Sequence, residues 1–104
     1  MPFELARALD NVVPAHARSV STVSVDRSST SVTGARDFEI DVTWDDYRQW
    51  VAGRLGSDWR ASPREVTRAQ FSKGTNTDFY SLTLERTATP QPYTVHAAVI
   101  GRPD

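Results

Sequence analysis

The stretch from Asp37 to Gly56 constrains the fold more than any other part of the chain. In Asp37-Phe38-Glu39-Ile40-Asp41-Val42, acidic and apolar residues alternate, the period of a strand with one buried face. Thr43 follows as a helix N-cap, with Asp46 three positions on to form a short-armed capping box and Asp45 and Asp46 placed at the positive end of the helix dipole. Trp44, Tyr47, Val51 and Leu55 then recur at i, i+3, i+7 and i+11, with Trp50 beside them. Gly56 supplies a left-handed position past the helix end. A one-sided strand running straight into a capped helix over 44–55 calls for a sheet and a helix that share one core.

Downstream the strand signals continue. Ser62-Pro63-Arg64-Glu65 reads as one helical turn, followed by a strand over 66–73. Gly74-Thr75-Asn76-Thr77 is a reversal. Residues 78–87 return as a strand, with Tyr80, Leu82 and Leu84 opposite Ser81, Thr83 and Glu85. Pro90-Gln91-Pro92 turns the chain again. In the last strand Tyr93, Val95, Ala97 and Val99 oppose Thr94, His96 and Ala98. The expected fold is α+β in two layers. A four- to five-stranded, mainly antiparallel sheet ends in a three-stranded meander and is backed by helix 44–55.

The amino-terminal third is less determined. Leu5, Leu9 and Val12 make an amphipathic stripe over 3–13, and Pro14 stops that helix. A stripe so narrow needs a docking surface, so this helix is expected at a sheet edge or on a partner. Residues 19–33 hold nine Ser or Thr. They suit a strand over 19–25 with a turn at 26–30 and a return at Val32, while the same composition suits a tether. Residues 14–36 thus read as an edge hairpin or a flexible segment, and the core is expected within 37–100.

Composition decides among classes of protein. In 104 residues there are 22 Val, Ile, Leu and Phe against 21 Ser and Thr, a balance close to that of chains too polar to fold. Three Trp, three Tyr and four Phe restore burial, since each ring can cover roughly 150–250 Å². The length suits one domain spanning 1–104. The chain has no Cys, which excludes disulfides, thiol chemistry and Cys-based zinc sites. The amino terminus shows no signal-peptide pattern and the longest apolar run is Ala97 to Ile100, so a cytoplasmic protein away from membranes is expected. Eleven Arg stand against one Lys, yet 12 cations face 13 acids. The Arg are dispersed, which fits a GC-rich genome better than a nucleic-acid footprint and disfavours nucleic acid as a partner.

No phosphate loop, dinucleotide turn, nucleophile elbow, His-Glu-x-x-His pair or EF-hand loop is present. His16 and His96 lie far apart, and His96 reads as a solvated strand residue. In the acidic group Asp41, Asp45 and Asp46, helix capping and the dipole already explain two members, so neither a metal nor another cofactor is expected. Aromatic and Arg side chains dominate protein interfaces, which marks Trp59, Arg60, Arg48 and Trp50 as interaction candidates. Trp59 is the one least explained by packing. The function expected is a non-catalytic interaction or assembly domain, either a homo-oligomer or a small subunit on another protein. The alternative is a small-molecule binder or simple acid–base enzyme, with Tyr80, Tyr93, His96 and Asp41 around a pocket between sheet and helix.

Overall fold

A computed structural model describes residues 3–63, 65–74, 79–87 and 92–102, with side chains from residue 5 onward. The element order is α1 (Phe3–Asn11), β1 (Ser24–Arg27), β2 (Val32–Ile40), α2 (Trp44–Leu55), β3 (Arg60–Ala61), β4 (Arg68–Gly74), β5 (Phe79–Arg86) and β6 (Tyr93–Gly101). The six strands form one antiparallel sheet in the order β1-β2-β6-β5-β4-β3. The fold is α+β, with β4, β5 and β6 forming the C-terminal meander. After the β1–β2 hairpin, α2 carries the chain to the far edge. Strands β3 to β6 then step back until β6 pairs with β2 along nine residues, from Val32↔Gly101 to Ile40↔Tyr93.

The α2 helix forms for the reasons its sequence supplies. The Thr43 hydroxyl accepts the Asp46 amide at 3.2 Å. At the other end Gly56 has φ 91° and donates its amide to the Ala52 carbonyl, a conformation that L side chains resist. Trp44, Tyr47 and Val51 are buried, and they lie against the strand face carrying Phe38, Ile40, Phe71, Leu82, Leu84, Val95, Ala97 and Val99.

Two expectations are corrected. The first helix is neither at an edge nor in need of a partner: Leu5, Leu9 and Val12 are fully buried in the common core, and α1 touches β2, β6 and α2. Burying such side chains stabilises by roughly 1.5–3 kcal/mol each, so the core extends well outside 37–100. The helix also ends at Asn11, two residues before the expected stop. The sheet has six strands because the two-residue β3, too short to show periodicity, pairs with β4 through Arg60↔Ser72 and Ala61↔Phe71.

Within the Ser/Thr-rich tract, β1 pairs with β2 from Ser24↔Ala35 to Arg27↔Val32. Ahead of it Arg18 and Glu39 exchange backbone hydrogen bonds, and the Ser21 amide donates to the Asp37 carbonyl at 2.8 Å. Glu65 is outside any helix. Arg64 and most of the two expected reversals, at 74–77 and 90–92, lie outside the described residues.

Candidate functional site

Both helices cover one face of the sheet, and the strand alternation sends a second set of residues to the other. On that open face the registers align four ionisable residues in one row across four strands: Arg68↔Glu85, Glu85↔His96 and His96↔Asp37. With neighbouring strands about 4.8 Å apart, the row is about 14 Å long. It is joined in pairs. Arg68 Nη2 lies 2.9 Å from Glu85 Oε1, with Nε donating to the same oxygen at 3.0 Å. His96 Nδ1 meets Asp37 Oδ1 at 2.6 Å. An ionised carboxylate can only accept, so Nδ1 carries the proton.

These side chains are 44–56% exposed. Exposed pairs contribute about 0–1 kcal/mol, so the row does little for the fold. Nor is the His96–Asp37 pair arranged as a general base, which needs a substrate held against it and water kept out. The same face continues through Gln70, Thr83, Ala98 and Ala35, then Ser72, Ser81, Ile100 and Thr33. Phe79 and Ile100 are its exposed large apolar residues.

A different arrangement sits on the helix side, where the start of α2 meets the end of β5 and the start of β6. Positions 80, 82, 84 and 86 of β5 point inward, so the strand ends by sending Arg86 toward the core. Its guanidinium carbon lies 4.5 Å from the Tyr93 ring centroid and 5.7 Å from that of Trp44. Arg86 Nη1 donates to the Thr87 carbonyl at 2.9 Å. Arg86 Nε and Trp44 Nε1 are sealed from solvent and have no acceptor. Thr43, Trp44, Asp45, Glu65, Val66, Arg86 and Tyr93 surround a cavity of about 510 Å³.

The four interaction candidates occupy separate places. Trp59 is half-buried against the core, with Lys73 Nζ 5.9 Å from its ring centroid. Arg60 is exposed on the edge strand β3. Arg48 lies 3.9 Å from Asp45. Trp50 stacks on Tyr47, and the Arg54 guanidinium lies over the Trp50 ring, 5.7 Å from its centroid. The pocket candidates do not converge either. Tyr93 borders the Arg86 cavity, and His96 stands on the opposite face of the sheet. Asp41 lines a separate cavity with His16 and Arg18. Tyr80 packs beside Gly101, where an added Cβ would come within 2.5 Å of its ring.

Residue-by-residue reading missed Arg86 and the row. Arg86 carried a signal, a cation at the inward parity of a strand. The row carried none, because it exists only once strand order and register are known. Among the described residues no helix is long and apolar enough to cross a membrane, and no group of three His, Asp or Glu could hold a metal. Comparison with protein-family models, curated proteins and solved structures returned no match.

Proposed function

We propose that this chain is a non-catalytic assembly domain that forms a homodimer through the open face of its sheet. The observation that carries this reading is the order of charge along the row: Arg68, Glu85, His96, Asp37. The row is centred between β5 and β6, which is also the centre of the six-stranded order. A two-fold axis parallel to the strands at that centre lays the row on its own reverse. Arg68 then faces Asp37 of the second copy, and Glu85 faces its His96. Each acid meets a cation or imidazole, the self-complementarity an isologous interface demands.

Geometry favours this match. Face-packed sheets lie about 10 Å apart, within reach of opposed long side chains. Aligned sheets cross at about 30°, which moves the outer pairs by about 3–4 Å along the strand, within the span of an Arg. The face of the four long strands is about 19 Å by 25 Å, so about 1,000 Å² is buried in all, near the lower bound for specific interfaces. An interface of this size suits a reversible dimer.

Opposed charge changes test it. Arg68→Asp alone sets Asp against Asp37, and Asp37→Arg alone sets Arg against Arg68, so each variant is monomeric by light scattering. Mixed together they form a heterodimer, because both outer contacts are then acid to Arg. Wild-type protein that stays monomeric into the millimolar range would defeat the proposal, as would a mixture that fails to associate.

A further inference from the structure

A cleft on the helix side of the sheet is walled by charge. It opens where α1, the end of α2, the loop after it and β4 come together, and Arg7, Asn11, Arg54, Asp58, Trp59 and Lys73 line it. Polar atoms make up nearly all of its wall, and its volume is about 170 Å³. Among the described residues neither Arg7 nor Arg54 has a carboxylate partner. Asp10, three positions on from Arg7, is taken by Arg36 at 3.3 Å. Arg54 has uncharged partners: Nη2 donates to Asn11 Oδ1 at 3.3 Å, and the guanidinium lies over the Trp50 ring. The dipole of α2 accounts for Arg54, the basic residue of its last turn. That of α1 does not account for Arg7, because the last turn of α1 has no basic residue. Lys73 lies over the Trp59 ring at 5.9 Å and makes a further contact of its own, so the charge that calls for a ligand is that of the two arginines.

We propose that this cleft binds a phosphate group, either as inorganic phosphate or as the end of a phosphate monoester. Guanidinium forks match phosphate oxygens in geometry, and their charge-assisted hydrogen bonds are among the strong ones. Arg54 spends one donor on Asn11 and keeps others for an anion. Size and polarity select the ligand. The cleft is smaller than a drug-sized pocket, roughly 300–1,000 Å³, and its wall gives an apolar body nothing to pack on. A carboxylate offers two oxygens and a single charge, whereas a phosphate group brings more of both to the two arginines. Asp58, an acid in the same wall, works against any anion and holds the affinity to the millimolar range.

The test titrates the protein with inorganic phosphate, glycerol phosphate and acetate against sodium chloride of matched ionic strength. The readout is the indole Nε1–H resonance of Trp59, assigned through Trp59→Phe. Inorganic phosphate is expected to move it saturably, with acetate at least about tenfold weaker. Glycerol phosphate tighter than inorganic phosphate identifies the ligand as a phosphorylated molecule, and equal or weaker binding identifies it as free phosphate. Arg7→Gln, on the exposed side of α1, should weaken phosphate about tenfold, and Gln is nearly as good a helix former as Arg. Asp58→Asn should tighten it about threefold. Arg27→Gln makes the same change of charge on β1, at the far edge of the sheet, and should bind phosphate as wild type does. The proposal fails if phosphate moves the Trp59 resonance no more than chloride does, or if acetate binds equally. It also fails if Arg7→Gln binds as wild type, if Asp58→Asn is no tighter, or if Arg27→Gln weakens binding as much as Arg7→Gln. Arg7, Asp58 and Arg27 lie outside the row on the open face, so this proposal and the dimer fail separately.

Discussion

Tyr47 is the largest fully buried side chain, and its single polar atom joins the two helical segments. Its hydroxyl donates to the Val12 carbonyl at 2.6 Å, fixing α2 to the end of α1, while its ring packs among those of Phe38, Trp44 and Trp50. Burial pushes its phenol well above the usual tyrosine range. In the unfolded chain the phenol ionises near pH ~10. Above that pH the folded state retains a proton that the unfolded state has released. Stability from this group is therefore intact below pH ~10 and falls as pH rises further, by up to about 1.4 kcal/mol per unit. Tyr47→Phe should lower stability at neutral pH by about 1–3 kcal/mol, because the buried Val12 carbonyl loses its donor. The same variant should unfold less steeply with alkali. Urea titrations from neutral to alkaline pH measure both, and an unchanged alkaline slope would contradict the assignment.

At the scale of elements, α1 is an integral layer of the molecule. Leu9→Ala should destabilise by about 2–5 kcal/mol, a core-sized loss, whereas a loosely attached edge helix would lose far less. Chemical denaturation decides between them. The elements legible in the sequence are those whose periodicity reports burial directly. Phe38 and Ile40 against Glu39 announce β2, Leu82 and Leu84 announce β5, and Thr43 with Gly56 bounds α2. The docking of α1 was not legible, because Leu5, Leu9 and Val12 specify a face without specifying what it meets. The 19–33 tract was ambiguous because Ser and Thr accept both strand and loop conformations, and β1 is held by backbone pairing to β2 and not by burial of its own side chains. For the candidate sites, the missing information was register. His96 and Asp37 are 59 residues apart in the chain, and no local pattern places them together.

For the whole molecule, the two faces of one sheet divide the labour. The helix-covered face holds the apolar core, and the open face is charged and half-exposed, a division that antiparallel sheets permit. The edges are guarded: β3 has two residues and β1 four, with charged Asp26, Arg27 and Arg60 on them, which discourages strand addition. The proposed association therefore uses the face. Its charge pairs predict that the proposed dimer loosens as salt rises toward molar concentration, where screening acts over about 3 Å. Monomer unfolding should barely respond, because exposed in-chain pairs contribute so little. Sedimentation and thermal melts across one salt series compare the two, and a dimer indifferent to salt would point to a contact elsewhere.

The position of β6 has a consequence for how the molecule comes into being. The last strand in chain order lies inside the sheet, between β2 and β5, so β2 has no inner neighbour until the chain through Gly101 is available. During synthesis α1, β1, β2 and α2 emerge well before the strand that closes the sheet. Pairings across such sequence distances form slowly. The nascent protein must keep an incomplete sheet with an open apolar face apart from its neighbours, the interval in which such chains are most prone to aggregate.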